Sequence, residues 1–228
     1  MTFAVLPVKD PAQAKRRLAP LLTAGERAQL AWLLYRRTLG ILLSVELLDK
    51  VVVVSSDPGV LDHARREGAA VIVEPAQHSH SHSADAALTQ CAAMGAARVL
   101  LAPIDVPLLS VTDIEQVFIA SGGNGEPEVV IVPSHGGAGT NALLETPPGA
   151  IPCRFGPGSF AAHRHEAAQR GIAIMVTAPP GLTFDLDEPN DLRIMLSNLN
   201  SGKIGEWLAN ISVRERMRRL PSADKTPE

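Results

Sequence analysis

The chain has 228 residues, of which 46% are hydrophobic and 20% are charged, which is enough apolar material for one α/β domain. Its formal net charge of −3 argues against a general attraction to nucleic acid or to anionic membranes. Cys91 and Cys153 fit no C-x-x-C or zinc pattern, the N-terminus does not resemble a secretion signal, and no apolar run is long enough for a membrane span. These features predict a cytoplasmic protein with two reduced core cysteines.

The N-terminal strand, predicted at residues 3–8, runs into a loop with several cations. Such a loop is a natural phosphate site, because ammonium and guanidinium groups neutralise phosphate charge while backbone N–H groups approach it. A solvated basic turn is the alternative. The absence of a G-x-x-x-x-G-K-S/T motif argues against P-loop kinases and GTPases. The candidate nucleotide-binding residues are Leu6, Pro7, Val8, Lys9, Lys15 and Arg17, with Glu74 at the end of a later strand.

The next stretch alternates helices and strands. A capping box at Thr23 and Glu26 opens a long helix whose apolar residues recur at helical spacing to about residue 45. Buried strands are predicted at residues 51–54 and 69–73, and a helix that begins at Pro58 lies between them. This β-α-β-α-β order is typical of a doubly wound, mostly parallel sheet.

A histidine occupies every second position from His78 through His80 to His82. Three imidazoles on one side of an extended segment could hold zinc or nickel, and a mobile polar loop is the alternative. A helix over residues 85–94 follows this run.

The apolar run at residues 98–104 does not alternate, which predicts a strand buried on both faces. It ends in a single carboxylate, Asp105, so this side chain is expected at the carboxyl end of a strand, where open α/β sheets bind ligands. Asp105 is therefore a candidate magnesium ligand, and a turn cap is the alternative. A second capping box, at Thr112 and Glu115, predicts a helix to about residue 120.

Two glycine-rich segments follow the strand predicted at residues 129–132. They cover residues 136–142 and 155–160 and predict loops whose backbone amides cradle an anion, with Thr140 and Ser159 adding hydroxyl donors. Ser159 also suits the N-cap of a helix that runs to Arg170. Plain turns are the alternative, and a loose dinucleotide-binding match at residues 137–142 is discounted because a strand rather than a helix is expected to follow.

Asp185 and Asp187 come after a strand predicted at residues 172–176. Alternate side chains of an extended segment point the same way, so the two carboxylates have the spacing that a divalent cation needs, although Asp187 could instead cap a helix that begins at Pro189. Residues 203–220 predict one amphipathic helix, and its apolar residues make a homodimer plausible. Residues 221–228 are expected to be disordered. The helix residues that could pack on a second subunit are Trp207, Leu208 and Ile211.

Taken in order, these motifs resemble those of the 2-phospho-L-lactate guanylyltransferase family, the phospho-acid guanylyltransferases of coenzyme F-420 biosynthesis. The resemblance covers residues 3–196. Its most specific elements are the Gly-Thr-Asn and Phe-Gly-Pro-Gly-Ser segments. The motifs are Leu6-Pro-Val-Lys9, Ala14-Lys-Arg-Arg-Leu18, Pro103-x-Asp-x-Pro-Leu108, Gly139-Thr-Asn-Ala-Leu143, Phe155-Gly-Pro-Gly-Ser-Phe160 with His163, and Asp185-x-Asp-x-Pro-x-Asp-Leu192.

The resemblance implies one α/β domain over residues 1–220, with a nucleotide-diphospho-sugar-transferase-like fold and a mixed, mostly parallel sheet. It also implies that three carboxylates hold two magnesium ions, with Lys9 beside them in the catalytic set, and that the basic loop binds GTP. The implied magnesium ligands are Asp105, Asp185 and Asp187, and the implied substrate-binding residues are Thr140, Gly156 and Ser159.

One segment departs from the family pattern. Where the family commonly shows Gly-Leu-Asn, this chain has Ser83-Ala84-Asp85, so Asp85 is expected to line the acid pocket. A small residue in place of leucine leaves room for a longer acid, which favours 3-phospho-D-glycerate over phosphoenolpyruvate and 2-phospho-L-lactate.

The expected reaction is transfer of GMP from GTP to the phosphate of the acid, with release of pyrophosphate. Alternatives are a nucleotidyltransferase for a sugar phosphate or molybdopterin, a glycosyltransferase, and a non-catalytic GTP-binding regulatory domain. The first alternative would be expected to carry a glycine-rich N-terminal signature, where this chain has Pro7-Val-Lys9.

Overall fold

Seven strands pair into one mixed sheet in the computed structural model, which describes residues 1–74, 79–123, 125–198 and 202–219. In chain order the strands are β1 (Thr2–Pro7), β2 (Lys50–Ser55), β3 (Ala70–Val73), β4 (Arg98–Leu101), β5 (Glu128–Pro133), β6 (Thr140–Thr146) and β7 (Ala173–Val176). Their spatial order is β3-β2-β1-β4-β6-β5-β7, with β6 antiparallel to β4 and β5 and all other pairs parallel. The predicted mixed, mostly parallel sheet is confirmed.

Helices cover both faces of this sheet. They are α1 (Ala24–Leu43), α2 (Pro58–Arg66), α3 (His80–Ala93), α4 (Val111–Ile119), α5 (Ser159–Arg170), α6 (Pro180–Thr183), α7 (Pro189–Asn198), α8 (Gly202–Asn210) and α9 (Val213–Arg219). Alternate strand residues point to opposite faces. Ala4 and Leu6 of β1 therefore pack with α1, α2 and α4, whereas Phe3 and Val5 pack with α3 and α5. Both cysteines are buried and free, as predicted.

Helix starts follow the capping rules, with two corrections. The box at Thr23 and Glu26 caps α1 as predicted. The box predicted at Thr112 is wrong, because Ser110 caps α4 and pairs with Asp113, whose carboxylate also accepts the N–H of Gly181. Ser159 is the first residue of α5 and not its cap, because Gly158 takes the cap position with a φ of 72° that favours glycine.

The start predicted for α3 is also wrong, because the helix begins at His80 and not at residue 85. Ser79 sets this start, since its hydroxyl accepts the N–H of His82 at 3.2 Å. Residues two apart on a helix are rotated by about 200° around its axis. His80 and His82 therefore do not point the same way, as they would on an extended segment. The polar-loop interpretation is also wrong from residue 80 onward, because these residues are helical. His78 lies outside the described residues.

The C-terminal segment forms two helices, so the single helix predicted over residues 203–220 is wrong. The break falls at Ser212, which has a φ of 54°. Leu208 is fully buried against α1 and α7, and Trp207 and Ile211 pack on the same cluster, so these side chains are used within the chain. Trp207 and Ile211 stay partly exposed, so the homodimer remains a prediction. The tail predicted at residues 221–228 lies outside the described residues. Among the described helices, none is long and apolar enough to cross a membrane.

Candidate active site

A cleft of about 760 Å³ opens where the carboxyl ends of β1 and β4 meet the start of β6. It collects segments that lie far apart in the sequence. Ligands of open α/β sheets bind at such strand ends. Its polar lining includes Lys9, Lys15, Arg17, His80, Asp105, Ser134, Thr140, Asn141, Ser159, Asp185 and Asp187.

Lys15 lies at the centre of the charged part of the cleft. Its ammonium contacts Asp105 at 3.0 Å and Asp187 at 2.9 Å, and its side chain is only 6% exposed. Burial alone would lower the pKa of Lys15, but the two carboxylates raise it above its ordinary value. Lys15 also has a left-handed backbone with a φ of 52°, which is uncommon for a residue with a side chain. We call Lys15, Asp105, Asp185 and Asp187 the charged cluster.

The two aspartates after α6 lie on an irregular segment in which Leu186 is fully buried between them. Both residues line the cleft, but their carboxylates have different partners, so the shared direction predicted from their spacing is not seen. The N–H of Leu186 donates to the carbonyl of Asp105 at 2.8 Å, which fixes this segment beside β4. Burial, and then the charge of Asp105, raises the pKa of Asp185.

Asn141 connects this segment to β6. Its side-chain amide donates to the carbonyls of Leu182 and Thr183, both at 2.9 Å, and lies 3.4 Å from Asp185. The amide therefore fixes the chain directly before Asp185.

The donor set of the charged cluster suits a hard cation. Three carboxylates supply oxygen atoms, which are the ligands that magnesium prefers. Within the described ranges, no group of three or more His, Cys, Asp or Glu side chains is already arranged around one point. Asp105 and Asp187 point at Lys15, whereas Asp185 lies toward Asn141 and toward His135 at 3.4 Å.

The glycine-rich part of the cleft is built around the start of α5. Gly156 has a φ of 130° and accepts the N–H of Ser159, which places the first turn of the helix at the cleft. Gly158 caps the helix with a left-handed backbone. Backbone N–H groups and the dipole of a helix N-terminus favour an anion at such a place.

His163, one turn further along α5, is fully buried behind this loop. Its Nδ1 lies 3.0 Å from the hydroxyl of Thr140, and its Nε2 accepts the backbone N–H of Arg154 at 2.7 Å. Burial, and then the nearby Arg154 cation, lowers the pKa of His163 to about 4. We call Thr140, His163 and the backbone N–H of Arg154 the neutral network.

Most of the predicted site residues line the cleft together. They are Pro7, Lys9, Lys15, Arg17, Asp105, Thr140, Gly156, Ser159, Asp185 and Asp187.

Four predicted residues do not line it. Leu6 and Val8 are buried in the core, where the hydrophobic pattern of β1 required them. Glu74 lies beyond the end of β3, and its backbone N–H continues the pairing with Ser55. Asp85 lies within α3 and accepts the N–H of Cys153 at 2.8 Å, so the structure gives it a structural partner.

Other cleft residues were not assigned to this site from the sequence. His80 lines the cleft because α3 starts early, and its ring packs against the edge of Phe155 at 4.5 Å between centroids. Asn141 and His163 belonged to recognised motifs but had no assigned role. Their contacts cross from one segment to another, and no local spacing signals such contacts. Ser79 as a helix cap was the one local signal that could have placed His80.

The fold has known counterparts. A crystal structure from Desulfovibrio desulfuricans G20 described as a nucleotide-diphospho-sugar transferase superposes with a TM-score of 0.74, covering 94% of this chain and 97% of that chain at 14% identity. This likeness confirms a nucleotide-diphospho-sugar-transferase-like fold, and in this chain the cleft at the strand ends combines cations, carboxylates and a glycine-rich loop.

The sequence specifies the class further. Residues 2–225 match the family described as "Guanylyl transferase CofC like", and the chain belongs to that family. A phosphoenolpyruvate guanylyltransferase of Rubrobacter xylanophilus is 40% identical, covering 83% of this chain and 91% of its own. A 2-phospho-L-lactate guanylyltransferase of Methanothermobacter thermautotrophicus is 33% identical, covering 84% of this chain and 82% of its own. A 3-phospho-D-glycerate guanylyltransferase of Colwellia psychrerythraea is 31% identical, covering 85% of this chain and 90% of its own.

Proposed function

We propose that the protein transfers GMP from GTP to the phosphate of a small phospho-acid and releases pyrophosphate, as a step of coenzyme F-420 biosynthesis. The observation that carries the proposal is that one cleft joins the charged cluster to an anion loop at Gly156 and Ser159. Membership of a guanylyltransferase family supports the choice of GTP. Buried, free cysteines support a reducing cytoplasmic location.

Three relatives act, by their names, on three different acids. The reason for favouring 3-phospho-D-glycerate was the Ser83-Ala84-Asp85 segment, and these residues lie within α3 and do not line the cleft in the described part of the chain. The 40% identical relative is named for phosphoenolpyruvate. We therefore propose phosphoenolpyruvate as the acid to offer first.

The proposed reaction needs no general base. A phosphate oxygen of the acid forms a bond to the α-phosphorus of GTP, while the bond from that phosphorus to the bridging oxygen of pyrophosphate breaks. A phosphate monoester is already largely a dianion at neutral pH, since its second pKa is about 6. The task of the protein is to bring two polyanions together and to orient them.

The cations of the N-terminal segment perform part of this task. Lys9, Lys15 and Arg17 line the cleft, and their charges offset the triphosphate. The hydroxyls of Thr140 and Ser159 and the backbone at Gly156 are placed to hold the phosphate or carboxylate of the acid. We propose that Asp105, Asp185 and Asp187 hold two magnesium ions, which when bound neutralise and orient the phosphates.

The test is pyrophosphate release from GTP and magnesium with phosphoenolpyruvate, 2-phospho-L-lactate and 3-phospho-D-glycerate in separate reactions. We expect one acid to give the highest kcat/KM, with the guanylylated acid identified by mass spectrometry. ATP and CTP in place of GTP are the matched controls for the base.

Turnover of a sugar phosphate or of molybdopterin, with none of the three acids, would replace the proposal by another nucleotidyltransferase. GTP binding without pyrophosphate release from any of these acceptors would favour the regulatory alternative.

A further inference from the structure

We propose that His163 is a positioning residue that orients the hydroxyl of Thr140, so that this hydroxyl donates its proton to an anionic oxygen of the phospho-acid. The inference deepens the proposed function and rests on it for the identity of the ligand. The orientation of Thr140 itself rests on the contacts of the free protein.

His163 connects three segments that form the acid side of the cleft. It lies on α5, it contacts Thr140 at the start of β6, and it accepts the backbone N–H of Arg154 in the segment that precedes Gly156. Its ring also packs edge-on against Phe155, with 5.2 Å between centroids. The imidazole is fully buried, so it cannot touch the substrate and must act through a neighbour.

The backbone of Arg154 decides which ring nitrogen carries the proton. An N–H group has only a proton to offer, so Nε2, which lies 2.7 Å from it, must present a lone pair. A neutral imidazole then carries its proton on Nδ1. A protonated imidazole would direct a second proton at the N–H of Arg154, which agrees with the lowered pKa of this ring.

This tautomer determines the role of Thr140. With its proton on Nδ1, the ring can donate to the Thr140 oxygen at 3.0 Å, although the ring also hydrogen-bonds the backbone of Ser159, and the hydroxyl proton of Thr140 must point elsewhere. In the part of the chain that the structure describes, His163 is the side-chain partner found for this hydroxyl. Thr140 lines the cleft, so its proton is available to an anion there. A threonine without this partner could rotate its hydroxyl and present a lone pair, which would repel the same anion.

Two substitutions separate the contacts of His163. In His163→Gln, the side-chain oxygen can reach the position of Nε2 and accept the N–H of Arg154, but the donor to Thr140 is lost. In His163→Asn, the side-chain amide can reach the position of Nδ1 and donate to Thr140, but the acceptor for Arg154 is lost. Comparing the two variants therefore distinguishes the orientation of Thr140 from the anchoring of the segment that contains Arg154.

Steady-state kinetics of the full chain provide the first measurement. We expect His163→Gln to raise KM for the phospho-acid on the order of tenfold, the loss expected for one hydrogen bond to a charged group, while KM for GTP stays unchanged. His163→Asn keeps a donor to Thr140, so it should raise KM for the acid clearly less than His163→Gln does. In a Thr140→Val background, His163→Gln should add almost nothing, because the hydroxyl that it orients is absent.

The proposal is overturned if both His163 variants change KM for the acid equally, or if the effect of His163→Gln persists undiminished in Thr140→Val. A purely structural role would produce such results, together with a parallel loss of thermal stability.

The tautomer is measured separately, on the full chain labelled with ¹⁵N in histidine, and the signal that disappears in His163→Gln identifies the ring. We expect a neutral ring with its proton on Nδ1 at pH 7, and a proton on Nε2 would overturn the proposal regardless of activity. If the wild type turns over none of the three acids, the proposed function fails, and the NMR result alone decides the orientation of Thr140.

Discussion

One part of the cleft is held together by opposite charges and the adjoining part by neutral hydrogen bonds. In the charged cluster, Lys15 shares its ammonium between Asp105 and Asp187, and the carboxylates remain partly exposed. Such contacts can be exchanged for phosphate and metal contacts without leaving a charge unpaired. In the neutral network, His163 is fully buried, and a lost partner leaves a buried polar group unsatisfied at a cost of about 1–3 kcal/mol.

The difference suggests a division of labour. A cluster whose partners can be exchanged suits a triphosphate that must bind, react and leave as pyrophosphate. A rigid, neutral network suits recognition of one small anion, because its donors are oriented before the ligand arrives. The predictions below test this division.

The largest effect is expected from the charged cluster. Asp105→Ala and Asp187→Ala should each lower kcat by at least about 100-fold, since each removes a group that neutralises or orients the reacting phosphates. Pyrophosphate release measures the loss, and circular dichroism should show an unchanged fold. Asp62→Ala on α2, where Asp62 forms an exposed pair with Arg65, is the matched control and should keep full activity. An active, metal-dependent Asp187→Ala enzyme would contradict the site assignment.

The second prediction concerns Glu145, a buried carboxyl on β6 outside the neutral network, which supports the loop after that strand. It accepts the N–H of Gly149 at 2.9 Å, while its other oxygen has no partner among the described residues. Burial, with a smaller contribution from the nearby Asp85, raises the pKa of Glu145 from 4.5 to about 8. The folded state therefore holds a proton that the unfolded state has released between these pH values, so stability falls as pH rises through this window.

Glu145→Gln should remove this pH dependence. Relative to the wild type, the variant should gain unfolding free energy as pH rises from about 4.5 to about 8, reaching a few kcal/mol as an order of magnitude. Denaturant unfolding at several pH values measures it. Glu128→Gln is the control, because Glu128 is buried on the neighbouring strand with Ser121 and Gly122 as partners of its two oxygens. If the difference in unfolding free energy between Glu145→Gln and the wild type does not change with pH, Glu145 is ionised in the folded protein.

Lys15→Met tests whether the charged cluster depends on exchange of partners. Without the ammonium, Asp105 and Asp187 repel each other, and we expect a loss of about 2 kcal/mol of stability, reduced from a fully buried pair because Asp187 is 41% exposed. Added magnesium should then raise the Tm of the variant more than that of the wild type. Arg17→Met, which breaks an exposed pair with Glu188, should change stability by less than about 1 kcal/mol. Equal Tm shifts with magnesium in Lys15→Met and in the wild type would contradict the idea that the aspartates exchange Lys15 for a metal ion.

The smallest effect is expected where α9 meets the start of α1. Arg216 on α9 contacts both oxygens of Glu26, at 2.7 and 2.8 Å, and also the carbonyl of Leu21. The Arg216 hydrogen bonds lower the pKa of Glu26 from 4.5 to about 2, so this contribution is present above about pH 4.5 and is lost as pH falls toward 2. Arg216→Ala should lower Tm slightly at pH 7 and not at pH 2, measured by differential scanning calorimetry. Arg219→Ala is the control, and a Tm loss that is the same at both pH values would exclude the ion pair as its cause.

The strand pattern and the charged groups could be predicted from the sequence. Continuous apolar runs identify buried strands, because a strand covered on both faces leaves no polar positions. Asp105 could be placed at the cleft because it closes an apolar run, and Asp185 and Asp187 could be placed near each other because they lie two residues apart, although their carboxylates have different partners. The order of the motifs identified the family, since motif order is a property of the chain alone.

Other features depended on contacts between distant segments. The side chains of Leu6 and Val8, which were assigned to the nucleotide, face the core, and Asp85, which was assigned to the acid, accepts the backbone N–H of Cys153; their binding roles remain predictions. Local spacing could not show that Asn141 would hold the segment before Asp185, or that His163 would reach Thr140, 23 residues away in the chain.

The sequence by itself therefore determined which chemical groups the cleft contains, because strand periodicity and chain order are local properties. The tertiary structure decided which of these groups are paired, buried and oriented. Hydrogen-bond partners and desolvation depend on segments that meet only when the sheet is assembled, and the tautomer of His163 is the clearest case.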